Sequence, residues 1–440
     1  MNKSIYQKPS KDITVLCEYD VVVCGGGAAG CAAAVTAAKC GAKTLLIEKY
    51  GYLGGATTAQ LVIAVLSTNG VDFQGVWHQY ANALKKRNGI SELIYDPRFD
   101  YIICGSVDSE AVKYAWDDLL TEANVDVLHH AIVMDTIVEN SVIKGLCVYT
   151  KSGEHAIMAK RIIDCTGDGE VCSIAGVPWE QGDGDSKFAM SMSKIFKYGN
   201  VPIFENAISG LGGIGFGRSM GNNLNLRMGV GKRLLNINPL DPWDMTKAER
   251  EGRDSAWEIV EVRKKQEGYE NVCIAETSMH VGVRSSRRIK GHAVATENDA
   301  WNFIKYDDEI AKSSWDIDIW PANDATKPTV ARSNEKYKLR IEKMKKGDYF
   351  SIRYGSLTPL GVENLLVAGR CISSEHVAQS SLRIQQTCMS TGEAAGAAAA
   401  ISIKDNINSS KLDVNILQKY LSEIRENIEP AFKILKNKEW

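Results

Sequence analysis

Three glycines, Gly25, Gly27 and Gly30, stand in GxGxxG spacing between a buried apolar run, residues 19–24, and an Ala-rich stretch, residues 28–39. A second apolar run, 43–48, ends on Glu48, 23 residues after Gly25. This arrangement predicts one βαβ unit, with Gly41 closing its helix. Each glycine has a reason to be there. The first permits a tight turn, the second lets a diphosphate touch backbone, and the third lets helix and strand pack closely. The helix N-terminus at Ala28 and Ala29 turns partial positive charge toward the diphosphate, while Glu48, followed by Lys49, accepts hydrogen bonds from an adenosine ribose.

The residues just after Glu48 point to the longer of the two common dinucleotides. An NAD domain usually continues with another helix, but here Gly54, Gly55, Ala56 and Thr57 come next, giving backbone a second close approach to the cofactor's middle. FAD fits that extra reach. Composition agrees with a cofactor enzyme and excludes other classes. Lys and Arg number 52 against 54 Asp and Glu, so no basic excess points to nucleic acid or an anionic membrane. Gly is abundant (38) and Pro scarce (10), as expected where backbone approaches a ligand but elements stay long. Eleven cysteines lack CxxC and CxxxxC spacing, so zinc ribbons, cysteine-ligated iron–sulfur clusters and a disulfide-reductase pair are not expected, and no metal is. Residues 21–38 carry no charge, yet Gly25–Gly27 splits them into strand and helix rather than a membrane span. The opening residues lack an apolar signal core, which with free thiols predicts a cytoplasmic protein.

Further along, a helix is expected over about 109–124, capped by Asp108 with Glu110 in its first turn. Three strand-like runs, 131–139, 142–150 and 155–164, form a meander that leads into Asp164-Cys165-Thr166-Gly167-Asp168-Gly169. From about 180 to 345 the texture changes. Six of the nine Trp fall here, the 210–215 glycine cluster reads as a loop, and Thr246 and Glu249 have capping-box spacing for a charged helix. Residues 364–368 return to a buried-strand pattern, and 387–403 read as a tightly packed small-residue helix. Residues 411–440 close as an amphipathic helix striped by Leu412, Ile416, Tyr420, Ile424 and Ile428, interrupted at Pro430.

The blocks VVVCGGGAAG…LLIEKYGYLGG, RIIDCTGDGE, VGVRSSRRIKG and ENLLVAGRCISSEHVAQSSLRIQQTCMSTGEAAGAAAA resemble, in order, the signature segments of the FAD-dependent oxidoreductase family within the glutathione-reductase-like FAD/NAD(P)-binding superfamily. Counted from Val21 to Gly55 and over the three later blocks, they span 94 residues. The resemblance implies an α/β fold: a Rossmann-like FAD-binding domain, a doubly wound parallel sheet plus β-meander, with an inserted α+β substrate domain. The FAD-binding domain is expected from 1–178 and 346–405, the substrate domain over 179–345, and a helical segment over 406–440. It also implies that Gly25, Gly27, Gly30 and Glu48 hold the adenosine diphosphate half, that Gly54 and Gly55 approach the ribityl region, and that Thr166, Gly167 and Asp168 form a second flavin-contacting turn. Gly369 and Arg370 stand at the ribityl contact, and Ser381 and Arg383 lie beside the isoalloxazine.

Two-electron chemistry at a flavin needs positive charge near the reduced ring, for which Arg383 is the candidate, and a group that moves a proton. His376, between Gly369-Arg370 and 380–383, is the first choice for acid or base. His280 and Arg284 follow on the substrate side, with Arg284, Arg287 or Arg288 able to anchor a carboxylate, and Tyr354 a weaker candidate. The expected activity is hydride transfer between a small organic substrate, favouring an alcohol or amine carbon, and flavin N5. Alternatives are reduction of an activated C=C bond, an NAD-dependent Rossmann dehydrogenase, and a flavin-binding RNA-modification or regulatory protein. No second nucleotide domain is evident, so oxygen or a separate carrier is expected as the electron partner.

Overall fold

The computed structural model describes residues 6–7, 10–96, 99–184, 188, 190–202, 219–326 and 335–432. The glycine cluster at 210–215 lies outside them. The predicted βαβ unit is present: Thr14–Cys24 (β1), Ala28–Lys39 (α1) and Thr44–Glu48 (β2). β1 pairs in parallel with β2 on one side and with the Gly153–Asp164 strand on the other, at the centre of a seven-stranded sheet. Val21, Val22, Val23, Leu46 and Ile47 are buried, as expected of strands covered on both faces, each contributing about 1.5–3 kcal/mol.

The Gly153–Asp164 strand changes partners along its length. Its first half continues the meander, antiparallel to Val142–Thr150, which in turn pairs with Ile132–Glu139. At its far end Ile162–Asp164 pairs in parallel with the late strand Leu365–Val367. The chain thus returns, late in its length, to complete the sheet that it began. The Gln385–Lys404 helix then packs on α1, and the reason for its small residues is geometric. A Cβ on Gly392 would sit 2.0 Å from the Ala29 carbonyl oxygen, and one on Gly396 would sit 2.2 Å from that of Ala33. Only glycine allows the backbones to approach this closely.

A second, four-stranded sheet runs in the order Ser219–Met220, Asn223–Val230, Ile195–Gly199, Cys273–Thr277. Beside it lies the Pro242–Arg263 helix, and it has its own small cores, one around Phe196, Tyr198 and Val260, the other around Met192, Leu234 and Val281. By contrast Ile289, Phe303, Ile310, Phe350 and Ile352 belong to the main core.

Two sequence expectations shift here. The charged helix starts at Pro242, not Thr246. Asp241 caps it by accepting from the Trp243 and Asp244 N–H groups, and the Thr246 hydroxyl donates to the Pro242 carbonyl from inside the first turns. The terminal helix spans Val414–Glu426 and buries Leu417 and Leu421, leaving Ile416 45% exposed, so the predicted stripe is displaced by one residue.

Candidate cofactor and active site

The Ser109–Glu122 helix, capped as expected by Asp108, packs its Val112 against Gly54. Gly54 and Gly55 adopt positive φ, 107° and 53°, and the Gly54 N–H donates to the Gly26 carbonyl at 2.8 Å. The 53–57 turn therefore docks on the turn that opens α1. A Cβ on Gly27 would meet only the Gly55 Cα, at 3.7 Å, whereas one on Gly30 would strike the Gly25 oxygen at 1.8 Å. Gly30 serves packing and Gly27 leaves an open approach. No side chain caps α1 and no acid stands in its first turn, so the N-terminal N–H groups around Ala28 and Ala29 are not spent on side chains.

Glu48 is buried at the end of β2, where its Oε2 accepts from the Gly26 N–H at 2.7 Å and its Oε1 from the Tyr50 N–H at 2.9 Å. Gly26 was not singled out from the sequence, yet a Cβ there would lie 2.4 Å from Leu53 Cδ2. The unbroken Gly25-Gly26-Gly27 run was the available signal. Lys49 is half exposed, 3.9 Å from Glu170. Ala56 is exposed at the start of a short helix, Ala56–Ala59. Thr57 departs from expectation: it is buried, its hydroxyl donates to Gln385 Oε1 at 2.6 Å and its N–H to the Gly54 carbonyl at 3.2 Å, so it holds the turn.

The second turn is built on a residue that sequence reasoning passed over. Asp164 is fully buried. Its Oδ1 accepts from the Thr166 N–H and hydroxyl, at 3.0 and 2.7 Å, and its Oδ2 from the Cys172 N–H at 2.8 Å. That shapes the turn in which Gly167 takes φ 79°. Asp168 Oδ1 accepts from Arg370 Nη2 at 2.8 Å and from the Ser286 hydroxyl. Burial alone would raise the Asp168 carboxyl, but Arg370, Ser286 and Lys49 together bring it below the usual carboxylate range. Gly369, at φ 88°, donates its N–H to the Thr391 hydroxyl at 3.1 Å.

Beyond this turn lies the short His376–Leu382 helix, clamped by the 314–320 segment. Asp318 N–H donates to the Ser380 hydroxyl at 3.1 Å, the Ser381 hydroxyl donates to the Trp315 carbonyl, and Arg383 Nη2 reaches Asp318 Oδ2 at 2.8 Å. Ser381 is thus committed to holding this clamp, and its side chain is not free for the cofactor. His376 Nδ1 is out of solvent without a hydrogen-bond partner. Burial, then Arg288 and Arg383, pushes its imidazole down to about 4, so it is neutral at pH 7. Arg284 donates to the Ser191 carbonyl at 2.7 Å and to Ser193 Oγ at 3.3 Å. Burial, then the neighbouring Arg383, lowers it to about 9.

The remaining candidates fall elsewhere. His280 Nδ1 lies 2.9 Å from the Val281 carbonyl, and its ring stacks on Tyr50, two residues after Glu48, with centroids 5.8 Å apart. Tyr354 donates its hydroxyl to the Ser409 carbonyl and is buried in the main core, which removes it as an active-site group. Arg287 reaches the Asp168 carbonyl at 3.1 Å and Arg288 the Ser374 carbonyl at 3.0 Å. Among the tryptophans of the middle segment, Trp243 and Trp257 are exposed, while Trp320 stacks between Arg233 and Arg284, 4.4 and 4.5 Å from their guanidinium carbons. A groove of about 490 Å³ lined by Lys39, Gln79, Lys86 and Glu122 opens at the opposite end of α1 and gathers none of these residues.

The parts fit a dinucleotide carrying an electron-accepting ring. The open Gly27 approach and the uncapped α1 suit a diphosphate. Arg370 Nη1, Arg383 Nε and His376 Nδ1 are buried without partners, and each such atom costs about 1–3 kcal/mol until a polar group meets it. The fold and site define an FAD-binding α/β oxidoreductase. The chain belongs to the FAD dependent oxidoreductase family, whose profile matches residues 20–421. That match decides for FAD over NAD.

Among curated proteins, a urocanate reductase of Eggerthella lenta is 36% identical over 103 residues, 23% of this chain and 14% of that protein. A thiamine thiazole synthase of Methanococcus vannielii is 29% identical over 176 residues, 38% of this chain and 63% of that protein. The match therefore spans less than two thirds of either relative. Among solved structures, the flavin-dependent brominase Bmp2 superposes with TM-score 0.51 at 14% identity, covering 92% of this chain and 83% of its own. The anhydrotetracycline hydroxylase OxyS of Streptomyces rimosus gives 0.50 at 12%, covering 93% and 66%. These two share the fold. Among the described residues no helix is long and apolar enough to cross a membrane.

Proposed function

We propose that the protein oxidises a small organic substrate by removing a hydride from an alcohol or amine carbon. The nucleotide fold, 1–178 with 346–405, holds the cofactor, the 179–345 segment faces the substrate, and 406–440 packs outside. Gly25, Gly27, Gly30, Glu48, Gly54, Gly55, Gly167, Asp168, Gly369 and Arg370 would hold FAD. When bound, FAD supplies the acceptor for the hydride at N5 and passes the electrons on to oxygen or a separate carrier. Arg383 would keep positive charge beside the ring, and Asp318 fixes that guanidinium in place.

The observation that carries the direction is His376. Its buried Nδ1 has no partner and its imidazole is neutral at pH 7, so in the tautomer protonated on Nε2 the Nδ1 lone pair is open to a substrate proton, a weak base that hands the proton on readily. As the C–H bond breaks, the substrate O–H or N–H gives its proton to His376, and a C=O or C=N bond forms. Arg284 favours a second reading. A guanidinium lowered to about 9 could return a proton during reduction of an activated C=C bond, a reaction compatible with the name of the partly similar urocanate reductase.

An anaerobic screen of holoenzyme against alcohols, amines, amino acids and enoates separates the two. Bleaching of the flavin absorption by an alcohol or amine supports oxidation, and reoxidation of the reduced enzyme by an enoate supports the second reading. His376→Ala should retain flavin and lose turnover at least about 100-fold. Unchanged turnover removes His376 from the mechanism.

A further inference from the structure

Resting on the two-electron reading above, we infer that the substrate is a small organic anion whose carboxylate is seated on Arg284, with the Ser191 hydroxyl as a second donor. Arg284 is fixed from behind. Two of its five N–H donors, one on Nη1 and one on Nη2, reach the Ser191 carbonyl and Ser193 Oγ and hold the guanidinium plane, leaving three N–H groups unspent. Ser191 itself is 1% exposed, its N–H donates to the Trp320 carbonyl at 2.9 Å, and its hydroxyl has no partner. The face of the guanidinium rests on Trp320, whose indole Nε1 is held by Asp318 at 2.7 Å.

Charge makes the seat selective. Among the described residues no carboxylate forms an ion pair with Arg284. Asp318, which acts on it electrostatically, is already engaged by Arg383. Arg383 and Arg233 add positive charge nearby. A simple amine entering as a cation meets a guanidinium that no described carboxylate pairs with, and a neutral alcohol leaves Arg284 without a counter-ion. A carboxylate matches the planar fork of the guanidinium with two parallel hydrogen bonds. Ser191, Ser193, Arg233 and Arg284 all come from the segment between the nucleotide fold's two parts, whereas Asp168 and Arg370 pair within the nucleotide fold. The anion seat is therefore built from other residues than the Gly25–Gly30 turn that suits a diphosphate. Acids with a hydroxyl or amino group beside the carboxylate combine this grip with a carbon that can lose hydride.

The test titrates anaerobic holoenzyme with lactate, malate, alanine, aspartate and succinate and with the corresponding amides, reading two signals. One is a shift of the flavin band, which reports binding; the other is bleaching, which reports electron transfer. Acids should bind about 10- to 100-fold more tightly than their amides, Arg284→Met should abolish that preference, and Arg284→Lys should keep part of it. Sulfate should compete with the acids on the wild-type enzyme, a measurement that does not depend on any variant folding. Amides that shift or bleach the flavin as well as the acids do, or the absence of any acid-dependent, sulfate-sensitive shift, overturns the inference. Bleaching by neutral compounds alone leaves the two-electron reading standing without the anion seat. Sulfate-sensitive acid binding with no electron transfer from any substrate keeps the seat and sinks that reading.

Discussion

Replacing Gly392 and Gly396 together by alanine sets two energies of opposite sign against each other. Alanine is the better helix former by about 1 kcal/mol per site, so on an exposed helix the double change would stabilise. Here each new methyl is aimed at a backbone oxygen of α1, 2.0 Å away at Ala29 and 2.2 Å at Ala33, where ordinary contact begins near 3.4 Å. The helices must separate by more than about 1 Å, because a carbonyl inside a helix cannot rotate aside as a side chain would. Overpacking of this kind costs about 1–3 kcal/mol per site, and backbone-on-methyl contact belongs at the upper end. The net loss expected is about 2–4 kcal/mol, which for a chain of 440 residues is a fall in Tm of roughly 2–4 °C. The strain should also reach the cofactor, because Ala29 sits in the first turn of α1 between Gly27 and Gly30. FAD content per chain, read from the ratio of flavin to protein absorption, should drop along with Tm. A double variant that melts within about 1 °C of the wild type with full flavin would show that these two glycines do not set the α1 packing distance.

Two further perturbations address the site. The imidazole of His376 is lowered from 6.5 to about 4 by folding, so the unfolded chain takes up a proton that the folded one refuses as pH falls below 6.5. The stability lost is about 2 kcal/mol by pH 5 and about 3 kcal/mol in full by pH 4 and below. His376→Gln should flatten that part of the decline between urea midpoints at pH 7 and pH 5, and equal declines in variant and wild type would contradict it. Asp164→Asn places an amide where the carboxylate accepts from Thr166 and Cys172, turning one acceptor into a donor that faces an N–H or O–H group. A loss of about 2–4 kcal/mol by denaturant titration is expected, and an unchanged midpoint would show that the turn does not rely on that carboxylate.

What could be read from the sequence tracked the strength of local signals. The βαβ unit was legible because buried runs, glycine spacing and a terminal acid all coincide within one short stretch. The Ser109–Glu122 helix was legible because Asp108 and Glu110 mark its start. The start of the Pro242–Arg263 helix was misread because the Thr246/Glu249 pair imitates a capping box, although Asp241 followed by proline is the stronger signal. The terminal helix carries apolar residues on two adjacent stripes, and only packing against the core chooses Leu417 and Leu421 over Ile416. Site residues divided in the same way. Glycines with backbone roles are visible in their spacing, whereas the Thr57 and Ser381 hydroxyls are claimed by distant partners, Gln385 and Trp315, that no local pattern announces. Ser191 and Asp318 carry no motif of their own, and Asp164, though inside the RIIDCTGDGE block, shows its role only through the contacts that the fold creates.

The late strand Leu365–Val367 has a consequence for how the enzyme comes to life in a cell. The first glycine turn is synthesised well before the strand that flanks Gly153–Asp164, the Gly369 turn and the helix that braces α1. A nascent chain therefore has most of a vitamin-binding fold with its cradle unfinished, and an exposed sheet edge waiting beside Ile162. Coenzyme loading has to wait for that stretch, and any premature stop before the bracing helix is complete should yield a colourless, aggregation-prone product.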